Sequence, residues 1–386
     1  MVLARSPATY IPAMRICHLS DSHLGAGEAY PRRDRSGLTL RQLDIINCFV
    51  EAVDRIVTLK PDLCIHSGDL FHAVRPSNRI MAIAGEQLHR LVEQHHIPTV
   101  LICGNHDAPK LTATGAAIEV YRNMRGLHIV SSPELAVIDM PGGRVLAVPH
   151  MHNAESFKAA IREAAQRRGD GFNILVTHGV AAGLPQFSMA DLGEMEIPLE
   201  LFEPFDYVAL GHYHNFSKVA ERVWYAGSTE RLSMAEREAP KGFVSLNLEP
   251  FTLEFHEVSA RPMVDLSTID AAGLGVEDLL GAIERALSES RAAEKIVRLA
   301  VANVRDAVLR SIPVGALGEL KQKAFALDLR FLRKPESAAS RPFGRSGIGP
   351  LEEEFLTYLG ATGLDAGERE LFAEEGLRYL REEEAG

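Results

Sequence analysis

The chain has 386 residues, 46% of them apolar and 6% aromatic, enough for a large catalytic core plus one or two smaller units. No apolar run reaches bilayer-spanning length, and residues 1–13 lack the apolar centre of a secretory leader, so neither a membrane span nor a signal peptide is expected. The net charge of −11 argues at first against a nucleic-acid partner, but residues 351–386 carry eleven acidic against three basic side chains, which leaves only −3 for residues 1–350.

After a lead-in at 1–13, short β-rich runs occur at 14–20, 62–68, 99–105, 144–150, 173–179 and 206–212. Helical periods lie between the early runs, at 40–60, 77–96 and 154–168. The alternation predicts an α/β layered domain with central strands covered on both sides. Three later runs, 222–228, 243–248 and 252–259, follow one another without helices and are expected to pair antiparallel. The texture changes near Arg261–Pro262. A helix at 276–290, a strand at 295–304, a short helix at 315–323 and a strand at 325–334 form a small α+β unit. Residues 335–350 are rich in Pro, Gly and Ser and read as a linker. Two short amphipathic helices follow, about 351–359 and 367–384, with the stripe Leu351, Phe355, Leu359, then Leu371, Phe372, Leu380. Cys17, Cys48, Cys64 and Cys103 form no CxxC or CxxH pair, and reduced, buried thiols are expected.

The chemistry-bearing residues fall just after the apolar runs, where sites form in open α/β sheets. SDSHLG supplies Asp21 and His23, GDLFH Asp69 and His72, and GNHD Asn105, His106 and Asp107. THG supplies His178, and GHYH His212 and His214. A DxH alone means little; five such elements in one order, each at a strand end, predict a dinuclear metal centre. Two divalent cations roughly 3.5–4 Å apart can hold a hydroxide and clamp the oxygens of a phosphodiester. Such a pair needs a bridging carboxylate, and Asp69 can supply it. Mixed nitrogen and oxygen donors suit Mn, Fe or Zn better than Mg or Ca. Asp21 and Asp69 leave such a site with excess positive charge, as an anionic substrate requires. Gly68, Gly104 and Gly211 are expected to permit the sharp turns that aim these side chains.

These motifs resemble the calcineurin-like metallophosphoesterase superfamily. Leu24-Gly25 after DSH and Phe71-His72 in GDLFH resemble the bacterial SbcD nucleases, counterparts of the meiotic recombination eleven nuclease. The resemblance covers residues 14–335 well and the tail loosely. It implies a two-sheet metallophosphoesterase core at 14–260, an α+β capping domain at 261–334, a linker at 335–350 and a helical tail at 351–386. Carried across by motif, Asp21, His23, Asp69 and His214 would hold one metal, and Asp69, Asn105, His178 and His212 the other, both Mn2+. His106 would then be no ligand but would face the scissile phosphate, its imidazole oriented by Asp107, with His72 as a second phosphate-facing histidine.

The activity so implied is that of a DNA repair nuclease, a double-strand 3′–5′ exonuclease and single-strand endonuclease. It would be cytoplasmic, nucleoid-associated and homodimeric, and partnered by an SMC-like ATPase of the SbcC type. The tail fits such a partner, since two short helices cannot bury their apolar stripes alone; the alternative is that they fold back on this chain. Arg32, Arg33 and Arg35 form a basic loop after the first motif and, with Lys110 and Arg231, are candidates for phosphate-backbone contacts; the alternative is a solvated loop. His18 and His66 lie inside strands and read as core or supporting residues, and His150 and His152 as loop residues. Two other functions compete: a phosphodiesterase for small nucleotides or phosphoproteins, against which the cap argues, and a non-catalytic DNA-binding subunit, which has no need of His106 or His178.

Overall fold

The computed structural model describes residues 14–183, 196–332, 351–361 and 366–383. The lead-in at 1–13 and the expected linker at 335–350 lie outside them. In chain order the elements are β1 (Arg15–Leu19), α1 (Leu40–Leu59), β2 (Leu63–His66), α2 (Asn78–His89), β3 (Thr99–Ile102), β4 (Leu127–Val130), β5 (Ala136–Met140), β6 (Gly143–Val148), α3 (Ala154–Gln166) and β7 (Phe172–His178). Then come β8 (Val180–Ala181), β9 (Glu196–Ile197), β10 (Tyr207–Gly211), β11 (Ser217–Ala220), β12 (Val223–Tyr225), β13 (Gly242–Leu248) and β14 (Phe251–Glu257). The remainder is β15 (Met263–Asp270), α4 (Val276–Glu289), β16 (Ile296–Ala302), α5 (Asp306–Ser311), α6 (Val314–Gln322), β17 (Ala326–Leu332), α7 (Leu351–Ala361) and α8 (Ala366–Glu383). Among the described residues no helix is long and apolar enough to cross a membrane.

Two six-stranded sheets, β14–β13–β1–β2–β3–β4 and β11–β12–β10–β7–β6–β5, build the core. Each central strand sends alternate side chains to opposite faces. Ile16, Ile65 and Val100 of the first sheet meet Val145, Ile174, Val176 and Ala209 of the second in an apolar layer between the sheets. The intervening Cys17, Leu19, Cys64 and Leu101 face α1 and α2, while Leu175, Val208 and Leu210 face α3. Burial on both faces explains why these strands read as unbroken apolar runs. All four cysteines are buried and free.

Helix α1 starts at a capping box in which Thr39 Oγ1 accepts Gln42 N–H and Gln42 Oε1 accepts Thr39 N–H, both at 3.0 Å. It stops at Lys60, whose left-handed backbone (φ 49°) donates its N–H to Ile56 O. Ile45, Phe49, Ala52, Val53 and Ile56 form its buried face.

Several expectations are corrected. The predicted helix at 77–96 is α2 followed by a π-helical turn at Arg90–Gln94. Of the three late runs, only β13 and β14 pair antiparallel with one another. β12 lies in the other sheet, parallel to β10 and antiparallel to β11. β4, β5, β11, β15 and α5 were not anticipated.

The chain divides into two compact units, residues 1–267, 280–300 and 313–330 in one and 268–279, 301–312 and 331–386 in the other. In the first, Phe325 lies under the guanidinium of Arg261 at 3.6 Å and beside that of Arg32 at 5.7 Å, near Met234, Met263 and Ile296. In the second, α7 and α8 pack on each other, with the Phe355 ring against Gly376. Leu359 of the expected stripe is buried, but Leu371 and Phe372 are exposed, as are Leu356 and Tyr358. The side chains of Leu351 and Leu380 lie outside the description.

Candidate metal centre

Five loops converge at one edge of the two sheets. Parallel β1, β2 and β3 of the first sheet lead into Asp21/His23, Asp69/His72 and Asn105/His106. β7 ends on His178, and parallel β10 leads into His212 and His214. The first two loops continue the strand pairing beyond the sheet: Asp21 N–H donates to Gly68 O and His23 N–H to Asp69 O, both at 3.0 Å. Asp21 also accepts the His212 N–H at 3.1 Å, which joins the two sheets' loops directly.

Asp21 (φ 51°), His23 (φ 44°), Asp69 (φ 55°) and His212 (φ 102°) hold left-handed backbone, rare outside glycine and typical of sites where packing dictates the conformation. Only Gly68 of the three motif glycines turns the chain with a positive φ (102°). Gly104 and Gly211 act instead through size. A Cβ on Gly104 would fall 2.1 Å from Asp69 Oδ1, and one on Gly211 would fall 2.1 Å from Ser67 O.

The donor atoms form two overlapping groups. Asp69 Oδ2 lies 3.5 Å from both His23 Nε2 and His178 Nε2. On one side, His23 Nε2 is 3.1 Å from His214 Nε2, and Asp21 Oδ1 is 3.9 and 4.0 Å from these two nitrogens. On the other, Asn105 Oδ1 sits 3.0 Å from His178 Nε2 and 3.0 Å from His212 Nδ1. Asp21, His23 and His214, and likewise Asp21, Asp69 and His178, bring donor atoms within 4.8 Å of one another. The Nε2 atoms of His23 and His214 face each other beside the Asp21 and Asp69 carboxylates, a mixed nitrogen and oxygen donor set that fits divalent metal ions. His23, His72 and His106 also approach within that limit, with His72 Nδ1 3.3 Å from His23 Nδ1.

Burial raises the Asp21 pKa and lowers that of His23, and it lowers His212 to about 3, each disfavouring the charged form. Burial also opposes charge on His178, but the Asp69 and Asp21 carboxylates outweigh it and lift its pKa to about 9. Asp69 is correspondingly held well below the usual carboxylate range by His178, His23 and His106, against the opposing effect of burial.

His106 is half-buried. Its N–H donates to Asp69 Oδ1 at 2.9 Å, its Nδ1 lies 3.1 Å from His72 O, and its ring stacks on His72 with centroids 5.1 Å apart. Contrary to the role that the resemblance implies, Asp107 does not orient that imidazole. Its buried carboxylate accepts Gly104 N–H (2.6 Å) with one oxygen and Leu70 N–H (2.9 Å) with the other, lacing the loops after β2 and β3 together.

The basic candidates divide. Arg231 donates to the carbonyls of Arg237, Arg261 and Ala239, and the exposed Arg33 donates to those of Gly37 and Glu28. Arg35 is exposed, as is Arg32 beside Phe325. Lys110 is exposed on a groove of about 430 Å³ shared with Asn105, Arg75 and His152. His18 bridges the sheets, 2.9 Å from Tyr207 Oη and 2.8 Å from Ser67 Oγ, and His66 Nε2 meets Ser22 Oγ at 2.9 Å, both supporting roles as expected. His150 and His152 lie in the loop after β6, their rings 5.2 Å apart.

Two residues escaped the sequence reading. Glu236 Oε1 lies 3.1 Å from His214 Nδ1, and fully buried Lys241 lies 2.5 Å from Glu236 Oε2. Their only signal was the run of charged residues after β12.

A family model of the calcineurin-like phosphoesterases matches residues 14–216. The chain is 29% identical over 256 residues to "DNA double-strand break repair protein Mre11" of Methanococcus maripaludis, covering 60% of this chain and 62% of that one. To the protein of the same description from Methanocaldococcus jannaschii it is 24% identical over 282 residues, 69% and 70% of the two chains. To that of Thermoplasma acidophilum it is 30% identical over 225 residues, 55% of each. The chain thus spans about three fifths of the length of the first relative.

Proposed function

This chain belongs to the calcineurin-like phosphoesterase family, and from that premise we propose that it is a DNA nuclease of the SbcD type, hydrolysing phosphodiesters at two manganese ions. The observation that carries the two-ion reading is the position of Asp69 Oδ2, 3.5 Å from a histidine nitrogen of each donor group. Asp21, His23, Asp69 and His214 would hold one ion, and Asp69, Asn105, His178 and His212 the other. Ions so held would lower the pKa of attacking water and neutralise charge on the phosphoryl oxygens.

The protein's own part is orientation and proton transfer. His106 Nδ1 is committed to the His72 carbonyl, so Nε2 is the atom available to the substrate's leaving oxygen. The similarity to three proteins described as DNA double-strand break repair proteins supports DNA as the substrate. Residues 261–334 would act as the cap. Lys110, Arg32 and Arg35 are the basic side chains we assign to the phosphate backbone. The exposed Leu356, Tyr358, Leu371 and Phe372 of α7 and α8 support docking on an SMC-like ATPase of the SbcC type by helix-in-groove packing. A homodimer acting in the cytoplasm completes the reading.

The test is an assay of linear duplex, hairpin DNA and bis-p-nitrophenyl phosphate with Mn2+. Cleavage of the DNAs is expected. Turnover of the small ester alone would move the substrate class away from DNA, and silence on all three would leave a binding subunit.

A further inference from the structure

His214 lies three residues beyond the end of β10, and one buried charged pair holds both its ring and its main chain. Its ring Nδ1 lies 3.1 Å from Glu236 Oε1. Glu236 closes a single 3-10 turn (Met234–Glu236) and is 6% exposed. Its other oxygen accepts Lys241 Nζ at 2.5 Å and Leu232 N–H at 3.2 Å. Lys241 is 0% exposed, and its ammonium also donates to Ser228 Oγ at 2.9 Å and to the backbone oxygen of His214 itself at 2.7 Å. The contacts close a loop: imidazole, carboxylate, ammonium, and the main chain of the same histidine.

An ion pair in this position is a poor way to stabilise a fold. Desolvation costs several kcal/mol per ion, and well-packed apolar residues of similar volume do as well or better. What the pair supplies is geometry. A carboxylate at Nδ1 fixes the proton there and turns the Nε2 lone pair toward Asp21 and His23. His178 gets the same tautomer only from a neutral acceptor, the Ser67 carbonyl at 2.8 Å.

We infer that Glu236 and Lys241 are positioning residues that lock the His214 imidazole for metal binding, Glu236 by holding Nδ1 and Lys241 by fastening that carboxylate to the His214 main chain. The inference rests on the reading of His214 as a ligand. It makes the two ions unequal: the one bound by His214 depends on a charged clamp, and the one bound by His178 does not.

The experiment titrates Mn2+ into metal-free wild type, Glu236→Gln, the double variant Glu236→Gln/Lys241→Met and, as reference, His214→Ala, following binding by calorimetry and by electron paramagnetic resonance of bound Mn2+. Urea unfolding of the metal-free proteins runs in parallel. Wild type should take two ions. Glu236→Gln should weaken one of them about 10–100-fold, the same one lost in His214→Ala, and leave the other unchanged. The double variant leaves no buried charge unpaired, so it should regain the stability that Glu236→Gln loses without regaining the ion; it also carries the test if the single variant does not fold. Full-affinity binding of both ions by Glu236→Gln, or recovery of stability and binding together in the double variant, would reduce the pair to a structural role. A wild type that takes no ion would instead overturn the ligand reading, and this inference with it.

Discussion

The Nδ1 of His106 lies 3.1 Å from the carbonyl oxygen of His72, a contact that fixes the ring without using any candidate metal ligand. His106→Ala should therefore still bind two ions, while kcat on duplex DNA falls about 10²–10⁴-fold, the range of a lost general acid. Metal analysis of the purified variant checks the assignment, and the loss of both ions would defeat it.

Asp107→Ala should behave differently, although it alters the adjacent residue. It strips partners from the buried amides of Gly104 and Leu70, at about 1–3 kcal/mol for each donor left unpaired. The urea midpoint should drop, and metal binding and activity should fall together as the loops after β2 and β3 separate. A variant with wild-type stability but low activity would return Asp107 to the catalytic set.

Gly104→Ala tests the close approach of the same two loops. The added methyl would overlap Asp69 Oδ1 and fall 2.6 Å from the Asp69 backbone nitrogen, so the carboxylate shared by both donor groups and the main chain that carries it must move. Calorimetric titration with Mn2+ should show both ions weakened, and the urea midpoint should fall with them.

Burial lowers the His18 pKa to about 3, from an ordinary 6.5. The unfolded chain takes up this proton below 6.5 and the native state does not. Stability from this group is therefore full above pH 6.5 and declines as the pH falls toward about 3, by about 1.4 kcal/mol per unit. Urea unfolding of the metal-free protein at pH 7.5 and pH 5 should show this loss, and His18→Gln should have the shallower slope of the two.

Arg231 and Lys110, both basic and both candidates from the sequence, should separate in a salt titration. Lys110→Ala should weaken DNA binding at every sequence and lower the slope of log affinity against log salt by about 1. Arg231→Ala should leave that slope unchanged and lower stability, because its guanidinium braces three backbone carbonyls.

The centre was legible in the sequence because each of its donors follows an apolar run within two to four residues, so local pattern locates both strand and loop. Asp107 was misread for the same reason: adjacency to His106 says nothing of direction in a tight turn. Glu236 and Lys241 act on His214 from 22 and 27 residues away, across two strands, in a charged stretch where any acid reads as solvated. Sheet membership was hidden likewise. β12 carries the same kind of apolar run as β13, and only long-range pairing decides that one joins β10 and the other β1. β4 and β5 were missed because their side chains are largely half-buried, which blurs the alternation.

The seam between the two sheets runs directly beneath the donor atoms, with Asp21, Asp69 and Asn105 on one side and His178, His212 and His214 on the other. Ions coordinated from both sides would act as rivets across that seam, so the protein's resistance to heat and proteases would become a function of free ion activity. A chelator would then do more than remove the ions: it would loosen the rim of a joint whose interior the apolar layer between the sheets continues to hold.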